Sequence, residues 1–146
     1  MSLDIKFYII ISYMKKFLSI IILLLIVLQV NAADHKKLFI ISPQNGDVVS
    51  NPVTIKFGIK GMNIVPAGVN EMNSGHHHLL INLETLPNLS SPIPADSSHL
   101  HFGKGQTETT IDLKKGKNSL QLLLGDHNHI PHKPALISKK IYITVE

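Results

Sequence analysis

From residue 38 onward, apolar and polar positions trade places at short range. Val53, Ile55, Phe57 and Ile59 fall on one side of residues 53–60, with Thr54, Lys56, Gly58 and Lys60 on the other. A period of two marks a strand buried on one face. A short apolar run predicts a buried strand at 38–41, and the same alternation predicts strands at 76–83, 99–102, 107–113, 119–124 and 136–145. Turns rich in Gly, Pro and Asn separate them at 42–47, 61–75, 103–106, 114–118 and 125–134, where such residues supply the backbone angles that strands do not. Residues 84–98 carry Pro87, Pro92 and Pro94 and no sustained period. They read as a long loop, uncommon in a small domain unless it has a task. No stretch after residue 33 has a helical period. The predicted class is all-β: an immunoglobulin-like antiparallel β-sandwich of about seven strands.

The chain begins differently. Lys15 and Lys16 precede an apolar run from 17 to 30 interrupted only by Ser19 and Gln29, and Val30-Asn31-Ala32 follows. A basic start, an apolar stretch too short for a comfortable membrane span and small residues at the cleavage positions predict a signal peptide over 1–32. The remaining 33–146 is then a single β-sandwich domain with no membrane span after cleavage, periplasmic or extracellular. An uncleaved anchor is the alternative, because residues 5–14 are apolar too, and Met14 is an alternative start.

Composition narrows the function. Cysteine is absent, which excludes disulfides and thiolate metal sites. Arginine is absent as well, and residues 33–146 hold eleven lysines against nine acids. Without guanidinium forks or a basic aromatic surface, nucleic acid is excluded as a partner.

What stands out is histidine. Eight of the nine lie between residues 75 and 134 in three groups, each containing H-x-H and each beside a glycine: His76-His77-His78, His99-Leu100-His101, and His127-Asn128-His129 with His132. Alternation places His77 on the apolar face with Leu79 and Ile81, so His76 and His78 point the other way. It likewise turns Leu100 and Phe102 inward and leaves His99 and His101 opposite. In a sandwich of antiparallel neighbours, the first group begins the third strand, the second ends the fourth, and the third forms the loop between the sixth and seventh. All three land at one end.

Residues i and i+2 of a strand stand roughly 6.6 Å apart on one face, and two imidazoles so placed can converge on one ion. The predicted metal ligands are His76, His78, His99, His101, His127, His129, His132 and Asp126. Asp126 and Asp96 are also candidates to fix a histidine tautomer. Imidazole without thiolate suits copper or zinc, and copper(II) binds most strongly in the divalent series. Cleavage after Ala32 would expose Ala33-Asp34-His35, whose free amine and His35 form a possible square-planar copper(II) or nickel(II) site. Against these stand plainer roles: solvated histidines at strand ends, and Asp126 and Asn128 as turn formers.

The stretches beginning Gly75-His76-His77-His78-Leu79-Leu80-Ile81, His99-Leu100-His101-Phe102-Gly103 and Leu122-Leu123-Leu124-Gly125-Asp126-His127 resemble the signature of a family of small exported bacterial domains of unknown function. The likeness runs from about residue 39 to 145. It implies a bacterial envelope protein and no activity. The architecture also resembles, at fold level only, periplasmic copper-resistance sandwiches. Three readings follow. The first is a metal carrier, buffer or sensor. The second is a metal-dependent enzyme, disfavoured because no nucleophile motif or paired catalytic carboxylates stand out. The third is a pH-tuned module binding an envelope polymer or envelope protein.

Overall fold

The structure is a computed structural model that describes residues 3–30 and 36–146. The chain divides into two compact units, Met1–Asp34 and His35–Glu146. The first contains helix α1, Leu3–Val30. Among its described residues the second contains the strands β1 (Lys37–Ser42), β2 (Val48–Val49), β3 (Val53–Lys60), β4 (Asn63–Ile64), β5 (Ser74–Ile81), β6 (His99–His101), β7 (Glu108–Ile111), β8 (Gly116–Gly125) and β9 (Ile141–Val145) and no helix. Cleavage of a signal peptide remains an expectation of the sequence.

Two sheets form a sandwich. One runs β1-β3-β7, and the other runs β2-β9-β8-β5-β4 with β6 also on β5. Inward side chains of both make the core: Leu38, Val53, Ile55 and Phe57 from the first, Leu79, Leu120, Leu122, Leu124, Ile143 and Val145 from the second. Each is the apolar half of an alternating pattern. Burying one such side chain contributes roughly 1.5–3 kcal/mol, which is why the period of two fixes the facing of every strand.

Three departures from the sequence expectation matter. The fourth expected strand, β6, lies beside β5, with His78 opposite His101 and Leu80 opposite His99, whereas an immunoglobulin constant-type sandwich would pair it in the opposite sheet. Next, β8 starts at Gly116, inside an expected turn. Asn118 is 1 % exposed and keeps the inward phase of Leu120 because its Nδ2 donates to the carbonyls of Lys114 and Gly116 at 2.7 and 3.0 Å. Finally, the closing strand begins only at Ile141. Before it, the Ser138 hydroxyl accepts from the Leu122 amide at 2.8 Å and replaces a strand–strand bond.

The central strand β5 is buried along its whole length. Its inner face meets the main core, and on its outer face Leu80 packs with Leu123 and Ile93, backed by Leu83, Leu89 and Ile137. Ile93 and Leu89 come from the long loop after β5, so that loop is a cover for the outer face of the sheet.

Candidate metal centre

On that outer face, beyond Leu80, stand His76 and His78. Neither has any solvent exposure. Their register partners on β8 are Gly125 and Leu123, and on the other side of β5, His78 faces His101 of β6. A fourth histidine arrives from the turn after β8. The Asp126 carboxylate accepts from the Asn128 and Ile130 amides at 2.8 and 2.9 Å, and the His129 amide donates to the Asp126 carbonyl at 2.9 Å. This closes so tight a loop that His129 takes φ +66°, a left-handed conformation in which histidine is among the more tolerated residues. The Ile93 amide donates to the His129 carbonyl at 2.9 Å, so the long loop pins the turn.

The four imidazoles converge. Nε2 of His76 and Nε2 of His78 are 3.1 Å apart, and Nε2 of His101 and Nε2 of His129 are 3.2 Å apart. The ring centre of His76 is 4.9, 5.0 and 4.8 Å from those of His78, His101 and His129. Ligand nitrogens of His76, His78 and His101 all lie within 4.8 Å of one another. Two nitrogens bound to one ion at about 2.0–2.1 Å in a tetrahedron stand about 3.3 Å apart, so the donor spacing fits a transition metal ion. Two glycines leave the space. A Cβ on Gly125 would come within 3.0 Å of His78 Nε2, and one on Gly103 within 2.7 Å of His101 Nε2.

Burial favours the neutral form of His76, His78 and His101, the form that binds metal. Burial, reinforced by His129 and His101, pushes His76 from 6.5 down to about 4. Burial and then His76 push His78 down to about 3. His101 is lowered by burial and by His129. The Nδ1 atoms of His76 and His78 are buried and have no hydrogen-bond partner. The Nε2 contact between the two rings requires one nitrogen to donate and the other to accept.

The remaining expected ligands lie elsewhere. His99 is in register with Leu80, two residues along from the cluster, and its Nδ1 donates to Asp96 Oδ1 at 2.9 Å. That bond, more than the Ser98 amide, holds the Asp96 carboxyl below its ordinary range. His127 contacts the Asn128 side chain at 2.9 Å and takes no part in the ring contacts. His132 sits beside Gly75, with its Nε2 buried and unpartnered. Asp126 Oδ1 accepts two backbone amides and shapes the turn, and the charge of its carboxylate partly opposes the lowering that burial imposes on His76 and His132. His35 lies outside the described residues. His77 points inward as the alternation implies, 5.1 Å from the Phe57 ring, and its Nδ1 donates to the Gln106 carbonyl at 3.1 Å. The sequence reading did not single out Ile93, Gly103 or Gly125 as parts of the site. Glycines adjoining each histidine group were the visible signal.

A family model described as a domain of unknown function, DUF4399, matches residues 55–146. The chain belongs to the DUF4399 family. The match includes all four converging histidines, both flanking glycines and the long loop. No curated protein and no solved structure matches this DUF4399 chain.

Proposed function

We propose that this DUF4399 domain is an exported transition-metal-binding module, a carrier, buffer or sensor for copper or zinc in the bacterial envelope. One observation carries the reading: four imidazoles from three separate elements meet nitrogen to nitrogen, two of them stripped of solvent, with ring-nitrogen pairs 3.1 and 3.2 Å apart. Packing alone does not favour it. Burying two imidazoles whose Nδ1 atoms have no hydrogen-bond partner costs stability. Among the described residues no carboxylate is hydrogen-bonded to the four rings, and their convergence supports binding. The basic, apolar leader supports export.

The test is native mass spectrometry of residues 33–146 titrated with zinc and copper. One bound ion per chain is expected. The pair His101→Ala and His129→Ala, both on the more exposed side, should lower affinity by at least about 100-fold. The pair His99→Ala and His127→Ala should bind as the parent does. Equal loss in both pairs, or no 1:1 complex with the parent, would sink the reading.

A further inference from the structure

Six ring-to-ring distances define the shape of the four-histidine cluster, and shape discriminates between metals. With metal–nitrogen bonds of about 2.0–2.1 Å, each ring centre stands about 3.2 Å from the ion, so a regular tetrahedron places all six pairs about 5.2 Å apart. A square plane instead places four pairs at about 4.5 Å and two opposite pairs at about 6.4 Å. The observed separations are 4.9 Å for His76–His78, 5.0 Å for His76–His101, 4.8 Å for His76–His129, 5.1 Å for His78–His101, 6.0 Å for His78–His129 and 4.7 Å for His101–His129. If the rings lay in a plane with His78 opposite His129, then His76 and His101 would also be opposite and far apart. They are 5.0 Å apart. The arrangement is a tetrahedron opened along the single His78–His129 edge.

From this, and resting on the metal-binding reading, we infer that the site is preorganised for a tetrahedral d¹⁰ ion, zinc, and not for square-planar copper(II) or nickel(II). The backbone enforces the shape. His76 and His78 are fixed on a strand buried on both faces, His101 is held in register opposite His78, and only His129 approaches from a turn. To flatten the set, the rings of His76 and His101 would have to separate, while the β5–β6 pairing holds the strands that carry them side by side. Copper(I) shares the d¹⁰ configuration but favours thiolate and thioether sulfur, and no cysteine is present to supply thiolate. The tightest nitrogen group is that of His76, His78 and His101, and His129, whose Nε2 stands 3.2 Å from that of His101, is the fourth donor that would close the site.

Cobalt(II) reports the geometry, because its visible bands are intense in a tetrahedral field and weak in a six-coordinate one. The metal-free protein is titrated with cobalt(II), then with zinc. The expected result is a 1:1 complex with intense absorption that one equivalent of zinc abolishes, and for His129→Gly a four-coordinate spectrum with shifted bands as water takes the place of one nitrogen. A 1:1 cobalt complex with the weak six-coordinate spectrum, or one that excess zinc fails to displace, would overturn the tetrahedral zinc assignment while leaving metal binding intact. The absence of any 1:1 complex with cobalt, zinc or copper would overturn the metal-binding reading itself.

Discussion

His129 holds a left-handed backbone with φ +66°, and a non-glycine residue there costs on the order of 1–3 kcal/mol. Nothing about packing demands a histidine at a position that glycine would occupy without strain; the imidazole is what the position gains. The substitution His129→Gly therefore separates stability from function: the metal-free protein should melt at the same or a higher temperature, while metal affinity falls by at least about 100-fold. Differential scanning calorimetry and competition with a chromogenic chelator measure the two effects. A large fall in the melting temperature would mean that His129 is a packing residue. Gly103 works from the other side. Its added Cβ would meet the His101 ring, with Nε2 at 2.7 Å, while the next nearest atom is Ala67 Cβ at 3.4 Å. Gly103→Ala should thus push one imidazole off the cluster and weaken metal binding about ten-fold or more, with little change in chemical unfolding. Gly75→Ala is the contrast. Its Cβ would come within 2.6 Å of the Gly125 carbonyl oxygen, which is backbone and cannot step aside, so that variant should lose stability first.

Two elements carry the site's precision: strand β5 and the turn after β8. Strand phase was legible in the sequence. Alternation around Leu79 and Ile81 turned His77 inward and His76 and His78 outward, and the core contacts of β5 follow that phase. Which end of the sandwich the three groups share was legible too, from strand direction alone. What alternation cannot encode is register. His99 and His101 point the same way, yet only His101 falls opposite His78 while His99 falls opposite Leu80, and pairing between distant segments sets that difference. Nor does alternation reveal that β6 would join β5. For the turn, Asp126 suits either a metal or a loop by sequence, and its Oδ1 accepts two amide bonds that shape the loop. Asp126→Ala should accordingly behave as a positioning variant. It frees the Asn128 and Ile130 amides and lets His129 wander, and metal affinity should fall about 10–100-fold with a 1:1 stoichiometry retained. Asp126→Asn, which keeps one acceptor oxygen, should recover part of the loss. If both variants lost the ion completely, Asp126 would be a ligand.

For the whole domain, the four-ring cluster ties folding to pH and to metal. In the unfolded chain, histidine titrates near 6.5. In the folded metal-free protein, burial lowers His76 to about 4 and His78 to about 3. Between those limits the unfolded chain binds more protons than the folded one, so stability rises with pH across the window and falls as pH drops below about 6.5. Below about 3 both states are protonated at these two sites and their contribution to the slope ends. Asp96 acts lower still: its carboxyl is held below 3.8 by His99, so the stability it adds is present above that value and is lost only as pH falls through its folded pKa. Urea midpoints of the chelator-treated protein should therefore be flat from pH 8 to 7 and decline steadily from 6.5 towards 4. Zinc in excess should raise every midpoint by mass action. A metal-free midpoint unchanged between pH 7 and 5 would mean that both imidazoles accept protons freely in the folded protein, contrary to the solvent-free positions they hold beneath the turn.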